Sequence, residues 1–397
     1  MRKPSVSWSS PVLARRFALA GGVVTLALFF VGGAGASATQ CAGSLSRSPN
    51  VGRGDNTLQA VAGASACNVW AVGFYLNPKR TVSRTLIEHW NGRRWNVQPS
   101  LSPSRTENEL HGVAATSARN AWAVGWDCGR TACRTLIEHW KGKTWKLQAS
   151  PNPSPASQLR SVTAISATNA WAVGYYLRHG VSRTLIEHWN GRSWKVQPSP
   201  NLGHFDNDLA AVSASSSSNA WAVGRYFDGT SERTLIEHWN GKRWKVQLSP
   251  DAGSATDANE PQGVATISPS RAWVVGDVFK GKVFHSLVEH WNGKRWKLVS
   301  AAHRGSSYRL AGVAAAAFAG VWAVGTWNDG TPHTLVEHWN GRAWNVESSS
   351  NLSSYPNQLF GVAALSRADA WAVGFYTTKA GVRRTLIEHW NGTTWTG

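Results

Sequence analysis

The chain has 397 residues, of which 42% are hydrophobic and 11% aromatic, and its formal net charge is +19 with 41 Lys and Arg against 22 Asp and Glu. This composition excludes a disordered low-complexity chain. A polytopic membrane protein is excluded because only one apolar run, near the N-terminus, approaches the length needed to span a membrane. The four cysteines, at positions 41, 67, 128 and 133, match no metal-ligand spacing, so we predict no metal site and no cofactor.

The first 38 residues have the three-part layout of a secretory signal peptide. Four basic residues precede an apolar run from Phe17 to Val31, and the small-residue triplet Ala36-Ser37-Ala38 follows it. We expect cleavage between positions 38 and 39, a single secreted domain over residues 39–397, and no integral membrane segment after processing. A retained membrane anchor is the alternative.

Seven copies of one repeat account for the rest of the chain. The string AWAVG, or a close variant, places Trp at 70, 122, 171, 221, 273, 322 and 371. Each copy also contains TLIEHWNG or a variant, followed by a third Trp, so that three Trp per copy explain 21 of the 24. Self-similarity at one period of 49 to 52 residues indicates a repeat architecture.

The third copy shows the predicted elements in chain order. Strand a opens at Leu159, strand b runs from Ala170 to Tyr176, strand c from Arg183 to Trp189, and strand d from Trp194 to Gln197. The pair Asn190-Gly191, which tight hairpins prefer, separates c from d. Four antiparallel strands in every repeat, without helical periodicity, predict an all-β fold, the seven-bladed β-propeller.

The N-terminal segment is predicted to close the ring of blades. Pro49 precedes Leu58 by nine residues, as Pro200 precedes Leu209 in the linker between the third and fourth copies. The last copy lacks the part that the first copy has in excess. We therefore expect the segment around Pro49 to lie beside the end of blade 7, continuing or pairing with the strand that Trp395 begins.

The repeats resemble those of secreted bacterial seven-bladed β-propellers, with a length similar to kelch arrays. The WNGxxW turn resembles a relaxed form of the Asp-box turn of sialidase-type propellers, with Asn190 and its equivalents where the Asp-box has Asp. The resemblance covers residues 45 to 397 and implies architecture rather than activity, because propellers host lectins, hydrolases, oxidases and scaffolds.

Four cysteines in an exported chain favour two disulfides. Cys128 and Cys133 lie in the b–c hairpin of blade 2, where facing strands bring them close, and Cys41 is left to pair with Cys67 in the a–b turn of blade 1. Free buried thiols are the alternative.

Because consecutive strands run in opposite directions, the loops lie at two opposite ends of the propeller. The short, uniform a–b and c–d turns share one end, here called the turn end, and the longer b–c and d–a connections share the other, the variable end. Variable loops on a fixed scaffold usually carry binding function.

Basic residues concentrate at the turn end, where 14 surround the c–d turns. Two interpretations remain open: these residues protect the outer strand edges and keep the protein soluble, or they form a face for an anionic polymer. The candidate residues of this face are Arg93, Arg94, Lys143, Lys242, Arg243, Lys294 and Arg295.

Aromatic residues near the variable end of strand b are the candidate ligand-binding residues. Such rings stack on pyranose sugars, although capping of blade interfaces is the alternative. The set comprises Tyr75, Tyr176, Tyr226, Trp327 and Tyr376, with Trp126 one position earlier.

Glu-His-Trp recurs in strand c of all seven copies. Adjacent strand residues point to opposite faces, so we interpret the Glu and His as buried hydrogen-bonding residues rather than catalytic ones. Arg183, Glu187 and Trp189 share one face and resemble the Arg, carboxylate and indole with which fucose-type propeller lectins hold a sugar. A buried salt bridge is the alternative for this trio.

The leading prediction is an exported, monomeric, non-catalytic protein that binds a glycan or an anionic cell-surface polymer through variable loops, and not nucleic acid. A glycan-active enzyme at the mouth of the central channel is the runner-up, using unique acids such as Asp127, Asp208, Asp228 or Asp277. A protein–protein interaction platform is the third possibility.

Overall fold

A computed structural model of the chain describes Cys41 and residues 47–302, 306–316 and 320–397. The predicted signal peptide lies outside the described residues. Within the described ranges every regular element is a β-strand, and no helix has the length and apolarity that crossing a membrane requires.

Twenty-eight strands form seven four-stranded antiparallel sheets, each in the order a-b-c-d. Blades 1 to 4 consist of β1 (Asn56–Ser65), β2 (Asn68–Leu76), β3 (Ser83–Trp90), β4 (Trp95–Gln98); β5 (Glu107–Ser117), β6 (Asn120–Cys128), β7 (Cys133–Trp140), β8 (Trp145–Leu147); β9 (Ser157–Ser166), β10 (Asn169–Arg178), β11 (Val181–Trp189), β12 (Trp194–Val196); β13 (Asn207–Ser216), β14 (Asn219–Phe227), β15 (Glu232–Trp239) and β16 (Trp244–Val246). Blades 5 to 7 consist of β17 (Ala258–Ser268), β18 (Arg271–Lys280), β19 (Val283–Trp291), β20 (Trp296–Leu298); β21 (Ser307–Ala315), β22 (Val321–Asn328), β23 (Pro332–Trp339), β24 (Trp344–Glu347); β25 (Asn357–Ser366), β26 (Asp369–Thr377), β27 (Arg383–Trp390) and β28 (Trp395–Thr396).

The blades close into a ring, as predicted for a seven-bladed β-propeller. Consecutive a strands contact one another from β1 round to β25, and β25 contacts β1, so the a strands form the innermost circle. Strand d, two to four residues long, lies at the outer edge of each sheet.

A tryptophan of strand b anchors each interface between blades. Trp221 of blade 4 is fully buried and lies 4.9 and 5.0 Å, between ring centroids, from Trp291 and Trp296 of blade 5. Its other face stacks on His238, its cross-strand neighbour, at 4.2 Å. Equivalent contacts recur in all seven interfaces, because large residues of one sheet face pack on the small residues of the next.

The N-terminal segment closes the ring through side chains. The Thr385 backbone N–H, in strand c of blade 7, donates to Asn50 Oδ1 at 3.1 Å. The Ser48 hydroxyl lies 2.7 Å from Thr385 Oγ1 and donates to Glu88 of blade 1 at 2.8 Å. The closure prediction is therefore confirmed, but the contact is with strand c rather than with Trp395, whose strand β28 pairs with β27.

Both predicted disulfides are present. Cys41 bonds Cys67 with a Cα–Cα distance of 5.6 Å, and Cys128 bonds Cys133 with a Cα–Cα distance of 4.0 Å. The first attaches the N-terminal segment to the a–b turn of blade 1, and the second closes the b–c loop of blade 2.

Candidate functional site at the variable end

The recurring Glu of strand c is a packing residue. Glu237 is fully buried and accepts a hydrogen bond from Ser199 at 2.9 Å, in the linker before its own blade. Burial raises the pKa of Glu237 to about 8, with the Ser199 hydrogen bond opposing that rise. The other six glutamates are equally buried and also accept from the preceding linker. The donor is a Ser hydroxyl for Glu88, Glu187 and Glu289, and a backbone N–H for Glu138, Glu337 and Glu388.

The recurring His of strand c lies on the opposite face, against the strand b tryptophan. In blade 2, His139 stacks on Trp122 at 3.6 Å, and its Nε2 lies 2.8 Å from Asn120 Oδ1. Burial lowers the pKa of His139 to about 4, so the ring is neutral near pH 7. The interpretation as buried hydrogen-bonding groups is confirmed for the Glu and for His139. The other six His are half-buried, and His89 Nε2 has no hydrogen-bond partner among the described residues.

The Arg, Glu and Trp trio of strand c does not converge on a sugar site. Arg183 donates to the carbonyl oxygens of Phe205 and His204 in the following linker, at 2.9 and 3.2 Å. Glu187 is fully buried, and no ion pair joins it to Arg183 in the described part of the chain. The resemblance to a fucose-type site and the salt-bridge alternative are therefore both wrong for this copy.

Strand a of every blade contains a β-bulge. In blade 4 the register slips between Leu209 and Ala211, leaving Ala210 as an extra residue. Strand b approaches closely here, since a Cβ on Gly224 would lie 2.0 Å from the Asp208 carbonyl oxygen. Bulges redirect side chains. The seven extra residues range from charged to apolar, and only Gln and Ala occur twice: Gln59, His111, Arg160, Ala210, Gln262, Ala311 and Phe360.

The residue after the strand b glycine also varies from blade to blade, and in blades 4 and 5 it contacts strand a of the next blade. Arg225 of blade 4 reaches Glu260 of blade 5, and Asp277 of blade 5 reaches Arg309 of blade 6. The residues at this position are Phe74, Trp126, Tyr175, Arg225, Asp277, Thr326 and Phe375. Aromatic rings therefore occupy blades 7, 1, 2 and 3, and charged groups occupy blades 4 and 5.

Charged side chains meet around Arg225. Its Nη1 lies 2.6 Å from Glu260 Oε1, and its other nitrogens lie 3.9 Å from carboxylate oxygens of Asp208 and Glu232. Burial raises the pKa of Glu232, and Arg225 opposes that rise. One cavity, here called the central cavity, is lined by Arg160, Asp208, Ala210, Gly224, Arg225, Glu260, Pro261 and Gln262, from three successive innermost strands and β14.

Asp277 is the most buried acid of this region. It is 1% exposed, and one of its oxygens accepts from Arg309 Nε at 3.1 Å. Its second oxygen, Oδ2, is buried without a hydrogen-bond partner among the described residues. Burial raises the pKa of Asp277 to about 6, and the Arg309 charge opposes that rise. The carboxyl group is thus poised to exchange a proton near neutral pH.

Aromatic groups follow on the blade 2 and blade 3 side. Trp126 stacks on His111 at 4.0 Å, and His111 Nε2 lies 3.1 Å from Glu109 Oε2. Burial lowers the pKa of His111, and Glu109 opposes that fall. The Arg160 guanidinium lies 5.2 Å from the centroid of the Tyr175 ring. A ligand that lies over the innermost strands would thus contact aromatic rings on the side of blades 2 and 3 and charged groups on the side of blades 4 and 5.

The other predicted aromatic residues lie elsewhere at the variable end. Trp327 is half-buried and stacks on His333 at 4.5 Å. Together with Trp327, four tyrosines pack at the edges of the hydrophobic clusters between blades, and all five side chains are half-buried. The tyrosines are Tyr75, Tyr176, Tyr226 and Tyr376.

The four acids named for the enzyme hypothesis separate into two groups. Asp208 lines the central cavity, and Asp277 adjoins it through its strand partner Glu260. Asp228 instead pairs with Arg233 at 2.7 Å, and Asp127 lies opposite Arg134 in the b–c hairpin of blade 2.

The candidate basic residues of the turn end lie at the protein surface. All seven candidate residues of this face are exposed, and none takes part in an ion pair among the described residues. In six of the seven c–d turns an Asn holds the backbone, as where Asn240 Oδ1 accepts from the N–H groups of Lys242 and Arg243 at 3.1 Å; in blade 2 Lys141 occupies this position.

Sequence reasoning missed Arg160, Arg225, Glu232, Glu260 and Arg309. A signal was available, because the residue after the strand b glycine changes from copy to copy while its neighbours stay nearly constant.

No protein-family model matches the chain, and no curated protein matches its sequence. Among solved structures it is similar to YCF48 from Cyanidioschyzon merolae, with a TM-score of 0.52 and 13% identity over 85% of this chain and 96% of that one. It is also similar to the GH74 xyloglucanase of Xanthomonas campestris, with a TM-score of 0.55 and 12% identity over 88% of this chain and 55% of that one. A PL25 ulvan lyase has a TM-score of 0.52 and 12% identity over 86% of this chain and 95% of that one. At these identities, the similarity shows that the chain shares the β-propeller fold.

Proposed function

We propose that the protein is a non-catalytic recognition protein that binds a glycan at the variable end, centred on the central cavity. The observation that carries this proposal is the break in sevenfold symmetry. The packing residues repeat from blade to blade, whereas the bulge residue and the residue after the strand b glycine differ. Four residues of these two variable positions, Arg160, Ala210, Arg225 and Gln262, line the central cavity.

The chemistry of these residues suits a saccharide. Carboxylates and guanidinium groups form charge-assisted hydrogen bonds with hydroxyl groups, and aromatic rings pack on the apolar face of a pyranose. Arg225 and Glu260 supply the first kind of group, and Trp126 and Tyr175 supply the second. Tyr75, Tyr176, Tyr226, Trp327 and Tyr376 extend the same end outward as secondary contacts.

A glycan array tests this proposal. Wild-type protein is compared with Trp126→Ala and Arg225→Ala, and with the control variants Tyr355→Ala, an exposed ring, and Arg243→Ala at the turn end. We expect bound glycans to be lost or strongly weakened in the first two variants and retained in the controls. Folded wild-type protein that binds no glycan at any density would overturn the proposal, as would equal binding by all five proteins.

A glycan-cleaving enzyme at the same cavity is the second candidate. The specific observation in its favour is the buried Asp277, whose raised pKa suits a general acid near neutral pH. Product analysis after incubation with bound polysaccharides separates the two functions. Cleavage that Asp277→Asn abolishes while binding persists would favour the enzyme, and intact polysaccharide favours recognition.

Export is part of the proposal. Two disulfides are consistent with an oxidising compartment, and the N-terminal residues have the signal-peptide layout described above. Mass spectrometry of the protein from the culture medium should give an N-terminus at Thr39.

A further inference from the structure

A second pocket lies at the variable end, beside the Cys128–Cys133 disulfide. It is lined by residues 129–132 of the b–c loop of blade 2, by the linker residues 104–106, and by Asp127 and Arg134 at the strand ends. Three of its lining residues, Arg105, Arg130 and Arg134, are exposed arginines, and Asp127 is the one carboxylate among the lining residues. The pocket thus carries an excess of positive charge.

Arg134 differs from its equivalents in the other blades. In blades 1, 3 and 7 the arginine at this position of strand c donates to carbonyl oxygens of the linker that follows: Arg84 to Ser104 at 3.1 Å, Arg183 to Phe205 at 2.9 Å, and Arg384 to Gly54 at 3.1 Å. Arg233 of blade 4 binds its linker through Ala255. In the described ranges Arg134 makes no such bond, and it is exposed where the other four are half-buried.

None of the three arginines forms an ion pair among the described residues, although Asp127 lies opposite Arg134. Neither Arg105 nor Arg130 donates a side-chain hydrogen bond or forms an ion pair within the described part of the chain. Arg134 lowers the pKa of Asp127, but burial has the larger, opposite effect, so the net shift is upward. Three guanidinium groups with free donors therefore surround one pocket.

The disulfide fixes the loop that presents Arg130. It joins two cysteines that are 5 positions apart in the sequence. Across the same turn, the Gly129 N–H donates to the Ala132 carbonyl at 2.8 Å. A loop held in one conformation loses little conformational freedom on binding, so it favours a ligand that fits it.

We propose that this pocket binds an oxyanion on a saccharide, either the carboxylate of a uronic acid or a sulfate ester. Planar guanidinium groups recognise both in bidentate geometry. For the saccharide part this inference rests on the proposed function, and it adds that the preferred glycan is acidic. The central cavity then contacts sugar rings while the arginine pocket contacts the charge.

Isothermal titration calorimetry of the full chain tests the inference with three oligosaccharides of equal length: one neutral, one of uronic acids, and one sulfated. The variants are Arg130→Ala and Arg134→Ala, with Arg183→Ala as the matched control at the equivalent position of blade 3. Wild-type protein should bind at least one acidic oligosaccharide more tightly than the neutral one. Each pocket variant should weaken that binding about tenfold or more without changing the neutral ligand, because one charge-assisted hydrogen bond is lost.

The outcomes separate the two proposals. The arginine pocket is wrong if wild-type protein binds neutral and acidic oligosaccharides equally, or if both pocket variants keep the preference for acidic ones. Either result leaves glycan recognition in place. Free glucuronate or sulfate that binds wild-type protein but not Arg134→Ala, with no oligosaccharide bound, would support an oxyanion site and overturn the proposed function. Circular dichroism confirms that each variant is folded.

Discussion

The Ser199 hydroxyl lies 2.7 Å from Thr184 Oγ1 in blade 3 and 2.9 Å from the Glu237 carboxylate in blade 4, so one linker side chain joins two blades. Ser48 makes the same pair of contacts between blade 7 and blade 1. Because Glu237 is fully buried, its carboxyl group is favoured in the neutral form, and the junction depends on its protonation.

Stability should fall as pH rises through the range in which these glutamates titrate. The pKa of Glu237 is raised from 4.5 to about 8, so the folded state holds a proton that the unfolded state releases, and stability declines between about pH 4.5 and 8. Glu237→Gln removes this proton exchange and should gain stability over wild type as pH rises, on the order of 1 kcal/mol per pH unit at most.

Urea unfolding at pH 5.5, 7 and 8.5 measures that difference. Exposed Glu107→Gln is the control and should show the pH dependence of wild type. The buried His139 acts in the opposite sense. Its pKa is lowered to about 4, so the folded protein loses stability as pH falls from 6.5 to 4. A Glu237→Gln protein whose stability changes with pH as wild type does would contradict the buried neutral carboxyl.

The ring closure gives a matched pair of variants. Asn50 Oδ1 accepts from the Thr385 N–H at 3.1 Å, and Asn201 Oδ1 accepts from the Thr184 N–H at 3.0 Å. Either Asn→Ala change leaves a buried N–H without its acceptor and should cost about 1–3 kcal/mol in the free energy of unfolding. If Asn201→Ala destabilises the protein while Asn50→Ala does not, the closing contact is wrong.

Whether a contact could be predicted from the sequence depends on whether it lies within one copy of the repeat or joins two copies. Strand order and hairpin turns follow from features inside one copy, such as the Asn190-Gly191 turn, and seven copies repeat the evidence. The Cys128–Cys133 disulfide also lies within one copy. The contact of Arg225 with Glu260 joins two copies, and the bulge at Ala210 breaks the strict alternation that sequence reasoning assumes. The free guanidinium of Arg134 is visible only by comparison with hydrogen bonds in the other blades.

The two disulfides should contribute unequally to stability. Cys41 and Cys67 are 26 positions apart in the sequence, whereas Cys128 and Cys133 are 5 positions apart. In the chain-entropy model, removing the first costs about 3.5 kcal/mol and removing the second about 2 kcal/mol. Urea unfolding of Cys41→Ser/Cys67→Ser beside Cys128→Ser/Cys133→Ser measures this order. A reversed order would show that the short disulfide contributes chiefly by holding the blade 2 loop.

The basic turn end should bind a polyanion in a salt-dependent manner. Its seven candidate residues are exposed and unpaired within the described ranges, so their field is open to a multivalent anionic partner. We expect elution from a heparin column above about 0.3 M salt, where the Debye length is still several Å. Lys242→Glu/Arg243→Glu should elute markedly earlier, whereas the charge-matched control Arg178→Glu/Lys379→Glu, at the variable end, should elute near wild type. If the turn end is a specific binding face, charges removed from it must weaken binding more than charges removed elsewhere. Two results would therefore contradict the prediction: elution of wild-type protein below that salt concentration, or an equal shift in both double variants. Either result would favour edge protection and solubility as the role of these lysines and arginines.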